Sequence, residues 1–320
     1  VKEFDIIHRY FENVGPRRKD VILGVGDDCA IVQSRIEHQI VVSCDTLVEG
    51  THFVADMPGE ALAHKAVVAN LSDLASMGAI PSWLTLAIVM PEGDEAWLEP
   101  FSNGLKSVCD YYHVQLIGGD TCKGDQVTLS ITIAGYVPTG TALTRSGARP
   151  GDNIYVTGNL GDSALGLQCI LGEHEFDADV TAQAIKAHYY PSPRVHAGQL
   201  LRGIASACLD ISDGLASDLG HLLSSSKVGA LLDVGALPLS DNLVKAVGED
   251  NAREMALAGG EDYELLFTVP RSESAALDMA MSEAGVRYTC IGQVMSSPEL
   301  TYELDGKRWH SEAKGYQHFE

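Results

Sequence analysis

The chain has 320 residues, an ordinary apolar share of 45 % and a net charge of −22, from 22 basic and 44 acidic residues. At about 150 residues per domain, that length suggests two domains. The acid excess argues against sequence-independent binding to nucleic acid and against anionic membrane surfaces, both of which recruit Lys and Arg. It leaves two readings of the carboxylates: a solvated, self-repelling surface, or ligands for cations.

The strongly apolar stretch Trp83 to Met90 is far shorter than the ~20 residues of a membrane helix. The segment Val1 to Asp5 carries acids and no apolar signal core. Seven cysteines are scattered singly with no C-x-x-C, which fits neither a disulfide framework nor a zinc ribbon. A reducing cytoplasm suits that usage.

In chain order, residues 3–14 read as a short amphipathic helix stopped by Gly15-Pro16. Val21 to Gly24 and Gln39 to Cys44 are short and β-branched, the pattern of strands. Glu60 to Met77 has helical spacing, with Leu62, Ala66, Ala69 and Leu74 on one side, and stops at Gly78. A buried strand is expected at 83–90, a helix at 94–112, and strands at 114–117 and 127–137. The turn-rich stretch Thr144 to Asp152 marks a boundary, giving domains 1–150 and 151–320. Beyond it, Asn153 to Thr157 reads as a strand running into a glycine-rich loop and a helix through Leu171. Helices are further expected at 193–206, 213–225 and 273–284, and strands at 207–211, 229–234, 263–269 and 287–294. Strands alternating with helices in both halves predict two α/β or α+β domains, with a cleft between them as the default ligand site.

The familiar nucleotide and hydrolase signatures are missing. There is no G-x-x-x-x-G-K-[ST], no H-E-x-x-H and no G-x-S-x-G. Gly24-Val25-Gly26-Asp27-Asp28 lacks the third glycine of a dinucleotide fingerprint and puts acids where a pyrophosphate would sit. Aspartates instead stand at the ends of expected elements: Asp27, Asp28, Asp45, Asp120, Asp210 and Asp213. Strand-end aspartates converge on one sheet edge, and short carboxylates suit Mg²⁺. Each also fits a turn or cap role. Asp73 is different, because it lies among Ala69, Leu74 and Met77 on an apolar helix face, where an unpaired charge is costly. Gly118-Gly119-Asp120-Thr121 and Gly158-Asn159-Leu160-Gly161-Asp162-Ser163 could cradle phosphate or simply form tight turns. Gly259-Gly260-Glu261-Asp262 leaves room for a ligand against the backbone or starts a bulged strand. Arg145 is either a bidentate phosphate contact or a solvated loop residue.

Seven motifs in order carry a resemblance across essentially the whole chain: Gly24-Val25-Gly26-Asp27-Asp28-Cys29-Ala30, Asp45 to Phe53, Asn70-Leu71-Ser72-Asp73-Leu74-Ala75-Ser76-Met77-Gly78-Ala79, Gly118-Gly119-Asp120-Thr121, Leu143 to Ala148, Asp210-Ile211-Ser212-Asp213-Gly214-Leu215 and Gly259-Gly260-Glu261-Asp262-Tyr263-Glu264-Leu265. The set closely resembles the bacterial thiamine-monophosphate kinases. That family shares a superfamily with aminoimidazole ribonucleotide synthetase, selenophosphate synthetase and a hydrogenase-maturation protein. The resemblance implies two α/β (α+β) domains, with N-terminal sheets paired into a barrel in a homodimer, and transfer of phosphoryl from ATP to thiamine monophosphate. By motif, Asp28, Asp45, Asp73, Asp120, Asp210 and Asp213 correspond to Mg²⁺ ligands. Ser43, Gly119, Asp120, Arg145 and Ser212 correspond to ATP contacts, and His52, Glu261 and Tyr316 to substrate contacts. Asp27 adjoins a ligand. Cys44 stands where the family often has Thr and offers a carbonyl but no hydroxyl.

The implied acceptor is a phosphate oxygen, largely ionised at pH 7 because its second pKa is near 6. No general base or nucleophile is then required, and direct in-line transfer assisted by several Mg²⁺ ions is expected. The alternatives are another ATP-using member of the superfamily, such as aminoimidazole ribonucleotide synthetase, and a non-catalytic cation-binding protein with an acidic surface.

Overall fold

The computed structural model describes residues 3–172 and 176–311; Tyr316 lies outside them. The chain divides into two compact units, residues 1–74 with 79–140, and residues 75–78 with 141–320.

The first unit opens with α1 (Glu3–Ile6), which widens into a π-helical turn over Ile7–Phe11. The expected helix therefore ends early, although Ile6, Tyr10, Phe11 and Val14 are all buried. A two-stranded ribbon follows, β1 (Val21–Leu23) with β2 (Ile31–Val32), and its connection carries Asp27 and Asp28. Then come β3 (His38–Val48), α2 (Gly59–Ser76), β4 (Ile80–Met90), α3 (Glu95–Tyr112), β5 (Gln115–Lys123) and β6 (Thr128–Pro138). Asp94 caps α3 by accepting from the Ala96 N–H at 3.0 Å. The sheet order is β3-β6-β4-β5, antiparallel except for the parallel pair β4/β5. Register and alternation define its faces. One face carries Ser43, Asp45 and Leu47 beside Ile133, Ile131 and Leu129, and these beside Leu84, Leu86 and Ile88. Its aliphatic members are buried, as are Leu62, Leu71 and Leu74 of α2 and Leu98, Phe101 and Leu105 of α3. The opposite face, with Val42, Cys44 and Thr46 on β3 and Thr85, Ala87 and Val89 on β4, is partly or fully exposed.

The second unit contains β7 (Asn153–Thr157), α4 (Asp162–Leu171), α5 (Ala178–Tyr189), α6 (Val195–Leu200), β8 (Ala207–Asp210), α7 (Leu215–Ser226) and β9 (Gly229–Asp233). It continues through α8 (Asp241–Val247), α9 (Glu249–Ala258), β10 (Leu265–Val269), α10 (Ser274–Ala284), β11 (Tyr288–Met295), β12 (Leu300–Leu304) and β13 (Lys307–Trp309). Its seven strands run β13-β12-β9-β11-β7-β10-β8 and are antiparallel apart from β12/β9. The unit is thus α+β, with a core of Ile154, Val156, Leu209, Leu219, Leu232, Leu266 and their neighbours. Helices α5, α8 and α9 arise where the sequence pattern predicted none. Their buried positions are few and small, for example Val180 and Ala184 on α5 and Ala252 and Ala256 on α9. Among the described residues, no helix is long and apolar enough to cross a membrane.

Candidate active site

In the first unit, β3 and α2 bring two expected ligands together. Ser43 and Asp45 are two residues apart on β3, so they share its inner face. The Ser43 hydroxyl donates to the Asp73 carboxylate on α2. Burial, reinforced by the Asp73 charge, pushes the Asp45 carboxyl up to about 6. The costly acid on the apolar helix face is therefore paired with a hydroxyl and set against a second carboxylate. Such a pair favours a hard cation, which cancels both the repulsion and the desolvation.

The remaining first-unit residues are placed differently. His52 closes the turn after β3, where its Nδ1 accepts from the Val48 N–H at 3.0 Å. Asp28 is exposed in the β1–β2 connection, and its N–H donates to Asp27 Oδ1 at 2.8 Å. Asp27 is thereby a turn-forming residue. The base of this connection is anchored by Asp20, which accepts from Arg18, Arg35 and Ser82.

Asp120 departs from the expectation of one converging edge. It lies within β5 rather than at its end, because parallel pairing with β4 carries the strand past Gly118 and Gly119 to Lys123. Its register partner is Ala87, which places it on the exposed face with Cys122 rather than with Asp45. Its carboxylate accepts from the Thr121 N–H and the Cys122 thiol. Gly119 admits no side chain there, since a Cβ would fall 1.8 Å from the Leu86 carbonyl oxygen. Among the described residues, no three His, Cys, Asp or Glu side chains are gathered into a single metal cage.

In the second unit, two motif loops are laced together. Glu261 N–H donates to Ser212 O at 2.8 Å, Tyr263 N–H to Ile211 O at 2.9 Å, and Ile211 N–H to Glu264 O at 2.8 Å. Gly260 permits this approach, because a Cβ would meet Ser212 O at 2.4 Å. Glu261 and Tyr263 adopt left-handed φ values of 66° and 52°, conformations that non-glycine residues hold only when their surroundings enforce them. Asp210 is buried at the end of β8, while Ser212 and Asp213 are half-buried. Arg145 is exposed, and its carbonyl accepts from Ser226 Oγ at 3.2 Å.

Several contributors carried no role in the sequence reading. The buried His188 of α5 places Nδ1 3.0 Å from Ser163 Oγ and 3.7 Å from Glu261 Oε2. Asp262 closes the N-terminus of α4 by accepting from Gly161 N–H at 2.8 Å and Ser163 N–H at 3.3 Å. Glu264 is bound by Arg194 through two bonds of 2.6 and 2.5 Å and by Thr157 Oγ1 at 2.5 Å. In the Gly158–Ser163 loop the Gly161 and Ser163 amides serve Asp262, the Gly158 and Leu160 amides serve the Arg287 and Pro238 carbonyls, and Gly158 makes room for Glu264. Beside it lies a cavity of about 350 Å³ bordered by Asn159, Asp162, Tyr190, Arg194, Asp262 and Arg287. Its carboxylates are already engaged, Asp162 by Ser240. The glycine-rich loop 158–163 and the doubled acids and glycines of 259–264 signalled this region in the sequence, whereas nothing marked His188 or Arg194.

Two domain families match the chain in tandem: the N-terminal domain of AIR synthase related proteins over residues 26–137 and their C-terminal domain over 149–305. Fold and sequence thus define the class as that of the AIR synthase related proteins. Within it, the chain is 50 % identical to the thiamine-monophosphate kinase of Escherichia coli K12 over 319 residues, covering 99 % of this chain and 98 % of the relative. The structure of the Stenotrophomonas maltophilia K279a thiamine-monophosphate kinase superposes with a TM-score of 0.85 at 38 % identity, covering 96 % of both chains. A structure described as AaThiL complexed with AMPPCP and TMP gives 0.79 at 33 %, covering 90 % of this chain and 89 % of the other. The chain belongs to the thiamine-monophosphate kinase family.

Proposed function

We propose that this protein transfers the γ-phosphoryl group of ATP to the phosphate of thiamine monophosphate, yielding thiamine diphosphate and ADP. The carrying observation is the full-length 50 % identity to a curated enzyme of that name, joined to a structural relative whose description records an ATP analogue and TMP. The acceptor phosphate is already ionised, so the chain needs no general base. The chemistry rests on positioning and charge compensation.

The half-buried pair Asp45 and Asp73 fits Mg²⁺ by its donor chemistry, with Asp28, Asp120, Asp210 and Asp213 as further ligands by motif. When bound, Mg²⁺ neutralises phosphate oxygens that would otherwise repel one another. Ser43 orients Asp73 through its hydroxyl. Gly119 lets nucleotide approach the backbone, and Ser212 and Arg145 contact it, Arg145 through its planar guanidinium. His52, Glu261 and Tyr316 hold the thiamine moiety, and the thiazolium suits a cation–π contact with Tyr316.

Domains of about 1–150 for nucleotide, metal and dimerisation and 151–320 for substrate follow the same reading. A second copy of the chain is the occupant we assign to the exposed β3/β4 face, where Val42 is 57 % exposed. That copy would complete the barrel of paired sheets expected for the family. Seven free cysteines favour a reducing cytoplasm.

The test is an ADP-release assay with ATP, Mg²⁺ and thiamine monophosphate. Turnover that depends on thiamine monophosphate and is absent with free thiamine or aminoimidazole-pathway precursors supports the reading. Turnover with those precursors alone overturns it.

A further inference from the structure

The loop that carries Asp210, Ser212 and Asp213 is held along two edges. On its carbonyl edge, Ile211 and Ser212 accept from the Tyr263 and Glu261 amides. On its amide edge, the N–H groups of Ser212 and Asp213 both donate to a single oxygen, Oδ2 of Asp218, each at 3.0 Å. Asp218 lies in the first turn of α7 and is 4 % exposed. Gly214, the residue before α7, contributes no capping side chain.

We propose that Asp218 is a positioning residue for the cation-nucleotide site. Its carboxylate fixes the backbone of Ser212 and Asp213, so that the neighbouring side chains are arrayed before Mg²⁺ and ATP arrive. The proposal rests on the reading of Asp210 and Asp213 as Mg²⁺ ligands and Ser212 as an ATP contact. The physical reason is preorganisation. Two inward-facing amides without an acceptor turn toward water, and a turned loop carries its ligands out of reach. Asp218 also occupies an amide nest that a phosphate would otherwise take, as Asp262 does at α4. Nucleotide phosphate is then directed to cations rather than to these amides.

The test uses the full-length protein with Mn²⁺ as the probe. Its binding in the presence of AMPPCP is followed by electron paramagnetic resonance, and amide exchange is measured on the peptide spanning 207–217. Asp218→Ala is expected to weaken Mn²⁺ binding about 10–100-fold, the usual cost of removing a group that supports a metal ligand. It should also speed exchange at Ser212 and Asp213. Asp218→Asn keeps an oxygen that accepts both amides and should bind Mn²⁺ nearly as wild type does. A purely structural role would lower the melting temperature of both variants without separating their Mn²⁺ affinities. Wild-type Mn²⁺ affinity in Asp218→Ala, or equal loss in both variants, overturns the proposal. Should Asp218→Ala not fold, Asp218→Ser, whose hydroxyl is too short to reach the amides, replaces it in the comparison. Asp210→Asn and Asp213→Asn serve as controls. If neither weakens Mn²⁺ binding, the ligand reading itself fails; if they do and Asp218→Ala does not, only the positioning role fails.

Discussion

Asp20 offers a quantitative test of how the Asp28 loop is anchored. Its carboxylate is 8 % exposed and accepts from Arg18 Nε at 2.9 Å, Arg18 Nη2 at 3.0 Å, Arg35 Nη2 at 2.9 Å and Ser82 Oγ at 3.1 Å. Burial raises its pKa, but the bonds from Arg18 and Arg35 outweigh that and hold it at about 2, against an ordinary 3.8. A depressed carboxyl stabilises the fold above its unfolded pKa and loses that contribution as pH falls through the folded value. From 3.8 to about 2 the contribution is about 2.5 kcal/mol above pH 5. About 1 kcal/mol of it is lost between pH 5 and pH 3, and most of the rest as pH falls through 2. Asp20→Asn keeps the shape and removes the titration. Urea unfolding of both proteins at pH 5, 4 and 3 should show the wild-type advantage shrinking by about 1 kcal/mol across that range. An advantage that stays constant, or that grows as pH falls, refutes the argument. Loss of this anchor should also weaken Mg²⁺ activation, because the connection bearing Asp28 starts from the same clamp.

Four further outcomes are expected. Asp73→Asn and Asp120→Asn should each lose most of kcat without unfolding, and near-normal turnover in saturating Mg²⁺ would contradict their assignment. Gly158→Ala should cost about 1–3 kcal/mol in urea unfolding, the ordinary range for a strained backbone and a displaced hydrogen-bonded group. Gly158 has φ +59°, and its Cβ would fall 1.9 Å from Glu264 Oε1, displacing that carboxylate from Arg194; a cost below about 1 kcal/mol would refute this reading. Incubation with γ-labelled ATP alone should leave no label covalently attached to the protein, whereas a labelled chain would oppose direct transfer. Tyr316→Ala should raise KM for thiamine monophosphate more than it lowers kcat, since a cation–π contact worth ~0.5–2 kcal/mol binds without reacting; the reverse pattern would count against it.

Much of this was legible in the residues themselves. Local pattern located α2, α3, β4, β7 and β10 to within a few residues, because their apolar spacing is regular and glycine or proline marks their ends. It failed for α5, α8 and α9, whose buried faces are too small to stand out. It also ended β5 too soon, because only pairing with β4 holds a strand through two glycines. Composition could raise two readings of the acid excess, and Asp73 alone among the aspartates was flagged by its apolar surroundings.

Tertiary structure decided which acids do what. It set Asp73 against Ser43 and Asp45, residues 30 and 28 positions earlier in the chain. Strand register put Asp120 on the other face of the same sheet, a residue's step along the strands from Asp45. It turned Asp218 and Asp262 inward to close the amide nests at α7 and α4, so that amides open to either reading, phosphate cradle or tight turn, serve a side chain. The division has a simple cause. A residue's type and its neighbours in sequence determine which chemistry it can perform. Which charge it faces, and how much water it keeps, depend on contacts between segments far apart in the chain, and these set whether a carboxylate binds a cation, caps a helix or is merely solvated.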